Sequence, residues 1–154
     1  MKWYHISDTW TGDTIDIDPR RCTRMDDPTD DMTPCICVAP SVAQCFVGIG
    51  YWSDYSKFLI YETEGEPVPT EWVFDYEITS EHRFYDRKTF RRVASYTNAD
   101  LVALGIPSLK WWYKSDPEPW RESAHVLIEA IKRNKIGESH EQGVGKSGTA
   151  NPRS

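Results

Sequence analysis

The sequence predicts an α+β domain of antiparallel strands and a few helices, and three observations carry that expectation. Strand-like segments come first, one helix follows, then several consecutive strands and a closing helix, without the regular alternation of a doubly wound sheet. The length, 154 residues, suffices for one hydrophobic core, so a single domain is expected. Hydrophobic residues at 39% and charged residues at 27% are ordinary globular values, whereas 13% aromatics, seven of them Trp, are high. Large flat side chains suit a core, and they also suit a site that stacks a planar ring.

Each element has a local reason. Residues 2–6, "KWYHI", read as a strand, Gly12 and Asp13 as a turn, and "TIDI" as a short second strand. Residues 19–34 form a long polar loop. Its aspartates at 26, 27, 30 and 31 lack the glycine and closing glutamate of a calcium loop, so it reads as solvated chain. "CICV" is a short buried strand. In "APSVAQCFVGIGYW" Pro40 fits a first turn, Ser41 can cap, Val42, Cys45, Phe46 and Ile49 recur at helical spacing, and Gly48 and Gly50 stop the helix.

"KFLIYET" is a strand of strong β-formers, and "EGEPVPT" a turn-rich connection. "EWVFDYEIT" alternates and reads as a strand with Trp72, Phe74 and Tyr76 on one face. "FRRVASYT" is a further strand and "GIPSLKWWYK" a last one. The clearest helix is "DPEPWRESAHVLIEAIKRNKIG". Asp116 can cap it, Pro117 suits its first turn, Trp120, Ala124, Leu127, Ile128 and Ile131 make one stripe, and Gly137 ends it. Residues 1–136 are therefore expected as one domain, and 137–154, with no aromatic and a single Val, as a flexible tail. "GVGKSG" in that tail lacks the earlier glycine, the preceding strand and the following helix of a phosphate-binding loop.

A net charge of -6 argues against general nucleic-acid binding, which needs a basic footprint, but leaves room for a phosphate-bearing ligand held by a few arginines. The cysteines at 22, 35, 37 and 45 include no Cys-x-x-Cys pair, so no zinc site and no other metal is expected. Cys35 and Cys37 lie two apart on one strand and point the same way, and are read as packing residues rather than a redox pair. With no apolar signal run and no apolar stretch of membrane-spanning length, the expectation is a cytoplasmic protein with reduced thiols and no membrane partner.

Three segments carry polar chemistry in strand or helix-start settings: "WYHIS" at the N-terminus, "APSVAQC" with Tyr51 and Tyr55 after it, and "EITSEHRFYDRKTFRRV". Singly, each has a bland reading. A strand histidine usually satisfies a neighbouring backbone group, Ser41 after a proline is a cap, and a Glu and an Arg two apart are surface residues.

Their order, however, resembles the ADP-ribosyltransferase superfamily in its histidine-first branch. "YHIS" matches the first motif. "ICVAPSVAQCFVGIGYWSDYSKFLIYETEGEP" is similar to the corresponding stretch of the small rifampin ADP-ribosyltransferases, and "SEHRFYDRKTFRRV" occupies the place of the acidic third motif. The likeness spans residues 3–97. Small phage-encoded proteins, some anti-CRISPR transferases among them, resemble it in size and opening. The resemblance implies small split antiparallel sheets and NAD as substrate. It implies His5 and Glu81 as catalytic residues, with Asp86 and Glu77 as alternative carboxylates. It implies nucleotide contacts from the backbone beside His5 at Ile6 and Ser7, from Arg20 (or Arg21) and Arg83, and from the helix start at Ser41. Where the family often has a tyrosine on its second strand this chain has Ile36 and Cys37, so Tyr51 or Tyr55 would have to supply the stacking ring.

In such a site a fixed carboxylate favours the oxocarbenium-like state formed as the nicotinamide–ribose bond breaks, and can orient an incoming nucleophile. A neutral imidazole both donates and accepts, which suits a ribose hydroxyl. The implied function is a mono-ADP-ribosyltransferase, phage-encoded and acting in the host cytoplasm on a host or defence factor. The acidic surface and missing strand tyrosine favour an alternative: a non-catalytic protein on the same fold that inhibits a protein target or sequesters a nucleotide.

Overall fold

A computed structural model describes residues 1–21, 33–50, 55–109 and 117–138. Its strands are β1 (Lys2–Ser7), β2 (Thr14–Ile17), β3 (Ile36–Val38), β4 (Lys57–Glu64), β5 (Val68–Pro69), β6 (His82–Phe84) and β7 (Lys88–Thr97). Its helices are α1 (Val42–Gly48), α2 (Tyr76–Thr79), α3 (Asn98–Ala103) and α4 (Pro117–Arg133). The α+β class holds. The strands form two antiparallel sheets, one in the order β1-β4-β7-β2 and a smaller one in the order β3-β6-β5.

The larger sheet is the middle layer, because side chains alternate across it. From β1 and β4, Ile6, Phe58 and Ile60 point to one face, where they join Phe46 and Val47 of α1 and Ala124, Leu127 and Ile131 of α4 in one buried cluster. Trp3, Leu59 and Tyr61 point to the other face and join Phe90 with Ile36, Val38 and Phe84 of the smaller sheet. The expected stripe of α4 is the one it buries: Trp120, Ala124, Leu127 and Ile131 are inside, and Ile128 packs at the margin. Asp116, its expected cap, lies outside the described residues.

Local chemistry sets most boundaries. The Ser41 hydroxyl accepts the Gln44 N–H (3.2 Å) and donates to the Gln44 side chain (2.8 Å), so Ser41 caps α1, with Pro40 one residue ahead of the cap rather than in the first turn. The helix stops before Gly50, whose φ of 79° is cheap only for glycine. Gly137 lies inside the packed body: its N–H donates to the Tyr96 hydroxyl, and a Cβ there would come within 2.9 Å of Val42. The packed chain therefore runs past residue 136; residues 139–154 lie outside the described chain.

Two strand expectations are corrected, the second over its described residues, and one helix is added. "EWVFDYEIT" is not a strand but consecutive turns followed by α2. The Thr70 N–H and hydroxyl both donate to the Glu81 carbonyl (3.0 and 2.9 Å), closing residues 70–81 into a loop. That closure overrides the alternating pattern, and Trp72 and Phe74 finish exposed. In "GIPSLKWWYK", residues 105–109 contain no strand, although Ile106 and Leu109 are buried; residues 110–114 lie outside the described chain. Helix α3 was not expected. It begins at a capping box in which Thr97 accepts the Asp100 N–H and the Asp100 carboxylate accepts the Thr97 N–H.

Candidate functional site

The two sheets meet along β1 and β3, and they meet only in part. Tyr4 and Ala39 exchange both backbone hydrogen bonds (2.9 and 3.0 Å), and Arg20 and Cys35 do the same (3.0 and 2.9 Å). Between these bridges, continued antiparallel pairing would set Ile6 opposite Cys37. Instead the strands part, and the Cys37 carbonyl accepts from His5 Nδ1 at 2.7 Å. The imidazole takes the place of a ladder hydrogen bond where the sheet splits. A carbonyl can only accept, so Nδ1 carries the proton and Nε2 the lone pair.

His5 is held on its face as well as its edge. The Trp10 indole stacks on it at 4.3 Å and 8°, and Phe90 meets it edge-on at 6.2 Å. Trp10 is placed by Ser7, whose buried hydroxyl accepts the N–H groups of Thr9 (3.1 Å) and Trp10 (3.0 Å). Burial pushes the His5 pKa below its ordinary value. The Arg20 charge adds to that, and the Cys37 carbonyl opposes it, so the ring is neutral near pH 7.

Glu81 approaches the same split from the smaller sheet. Ser80 stands in the left-handed region (φ 48°), turning the chain out of α2 and into β6. The Glu81 N–H donates to the Thr79 hydroxyl (3.3 Å), and its carbonyl is tied to Thr70. The carboxylate accepts Arg83 Nε at 2.7 Å, and Arg83 is itself buried, its guanidinium 5.9 Å from the centre of the Trp72 ring. The carboxylate is therefore fixed from both backbone and side chain.

His5 and Glu81 line one cavity of about 100 Å³ in this notch, closed by Cys37, Gln44, Cys45 and Thr79. Gln44 Nε2 donates to the Ile78 carbonyl (3.0 Å), tying α1 to α2. The Cys45 thiol donates to the Tyr4 carbonyl (3.1 Å), and burial pushes its pKa up to about 12, so it is no nucleophile at neutral pH. Small-molecule sites usually measure about 300–1,000 Å³, so the notch as it stands admits a single small ring or a few waters.

The other candidate residues divide clearly. Ile6 is buried and lines the notch. Ser7 serves the turn, and Arg20 is exposed beside the bridge at Cys35. Ser41 lines a separate cavity of about 400 Å³ with Lys2, Tyr4 and Glu62 and does not line the notch. Tyr55 stacks on Phe58 at 5.4 Å against the helix-side core and does not line the notch. Tyr51 lies outside the described residues. Of the alternative carboxylates, Glu77 is exposed and paired with Arg121 (2.7 Å), and Asp86 is exposed; neither lines the notch. Trp10, Thr70 and Thr79 were not foreseen as site residues. Only Trp10 had a local signal, three residues after Ser7 in a turn.

Among the described residues no three His, Cys, Asp or Glu side chains are placed to hold a metal ion together, and no helix is long and apolar enough to cross a membrane. No family model, curated protein or solved structure matches the chain.

Proposed function

We propose that the notch receives the nicotinamide end of NAD and that the chain is a mono-ADP-ribosyltransferase. The supporting observation is that His5 and Glu81, from segments far apart in sequence, line one cavity where the two sheets part. The neutral His5 would accept a ribose hydroxyl at Nε2, its orientation fixed by Cys37 and Trp10. The Glu81 carboxylate would stabilise positive charge on the ribose as the C1′–N bond breaks and nicotinamide leaves with the bonding pair. The acceptor then bonds to C1′ and gives its proton to the same carboxylate. Arg83 positions that carboxylate.

The volume of the notch, about 100 Å³, favours a second reading: a non-catalytic protein on this fold that takes only a small ring, or only a protein target. Nicotinamide release from NAD, followed by chromatography, decides between them. The enzyme reading expects release by the wild type and a loss of about 100-fold or more in Glu81→Gln, in a variant that still unfolds cooperatively but melts lower, because buried Arg83 loses its charged partner. No release, together with no thermal shift from NAD or ADP-ribose, would overturn it and leave the binding protein.

A further inference from the structure

We propose that Cys35 and Cys37 form a two-sulfur site for a soft monovalent metal ion, copper(I). Residues two apart on a strand share a face, and here the sulfurs stand 4.0 Å apart. Cys35 is buried, and Cys37 is half-buried on the wall of the notch, which gives an ion a route in. Copper(I)–thiolate bonds of about 2.2 Å place two sulfurs about 3.6 Å apart at a tetrahedral angle and about 4.4 Å apart when collinear. The observed separation lies between those limits and needs little movement.

The donor set selects the ion. Structural zinc takes four ligands, and among the described residues no group of three or more potential ligands converges. The two thiolates of the described residues suit a soft ion content with low coordination. A disulfide is the poorer outcome. A rise of about 3.3 Å per residue sets the two Cα atoms about 6.6 Å apart, near the outer limit for that bond. The strand cannot easily shorten, because Cys35 is bridged to Arg20 and Cys37 is in register with Arg83. On binding, each thiol releases its proton to water and each sulfur donates an electron pair to the ion, with no change of oxidation state. Both protons must be displaced: the Cys35 hydrogen bond and then burial raise the Cys37 pKa well above that of a free thiol.

The test uses the full, reduced chain without oxygen, titrated with copper(I) against a chromophoric chelator, with silver(I) as a redox-inert probe. The expected result is one tight equivalent, weakened about tenfold or more in Cys35→Ser and in Cys37→Ser and retained in Cys45→Ser and Cys22→Ser. X-ray absorption on the wild type, which needs no variant to fold, should show two sulfur neighbours at about 2.2 Å, shorter than in a four-coordinate thiolate site. No tight equivalent, an equivalent that survives in Cys35→Ser and Cys37→Ser, or three sulfur neighbours would overturn the site.

Discussion

The two faces of the central sheet differ in kind. Toward the helices the buried side chains are mostly hydrocarbon: Phe46, Phe58, Ile60, Leu127 and Ile131. Toward the smaller sheet, beside the hydrocarbon rings of Phe84 and Phe90, three rings carry a polar atom matched to a carbonyl: Trp3 Nε1 to Gly65 (3.0 Å), the Tyr61 hydroxyl to Gly12 (2.8 Å) and, on half-buried His5, Nδ1 to Cys37 (2.7 Å). Hydrocarbon packing is non-directional and tolerates exchange at constant volume. Rings with hydrogen bonds have one orientation each. One face thus holds the fold together while the other holds a geometry, and the notch opens at the edge of the second.

That contrast can be broken by substitution. The largest effect is expected from Phe46→Ala on the helix face, about 3–5 kcal/mol in chemical denaturation, with the His5 resonances unmoved. On the ring face, Trp10→Ala should cost less, about 2 kcal/mol, because Trp10 is only half-buried, yet it should return the His5 pKa upward in an NMR titration as water reaches the imidazole. If both variants moved His5 equally, the two faces would not be separate in the sense described.

Ser7→Ala comes next. It strips the acceptor from two backbone N–H groups for about 1–2 kcal/mol, and should mobilise Trp10 in fluorescence anisotropy. The finest test is of pH. The folded His5 pKa lies below the unfolded one, so the unfolded chain takes the proton first. Stability is then flat above the ordinary imidazole range, falls as pH drops through about 6.5, and levels only below the lowered folded value. His5→Asn, which keeps a donor near Nδ1, should remove that part of the slope in denaturation midpoints measured between pH 7.5 and 5.

Much of the architecture was legible from local pattern. The strands β1 and β4, read from aromatic and strong β-forming residues, the alternating β7, the stripe of α4 and the Ser41 cap are consequences of short-range pattern and capping, and they stand as read. The capping box at Thr97 and Asp100 was equally local and passed unread, because the strand before it runs straight into the helix. The reading of residues 71–79 failed for a different reason: alternating aromatics describe a strand only if a partner strand exists, and the Thr70–Glu81 bonds close that segment on itself.

What the sequence determined on its own was therefore a class of fold, most of its longer elements, and two residues, His5 and Glu81, worth placing in one site. Tertiary structure alone decided that β1 and β3 part after a single bridge, that His5 fills the gap with its proton on Nδ1, and that Glu81 arrives opposite it on Arg83. The physical reason is range. Periodicity and caps act over a few residues, whereas the partner of the His5 imidazole depends on where two sheets cease to pair, which is fixed by the packing of the whole core.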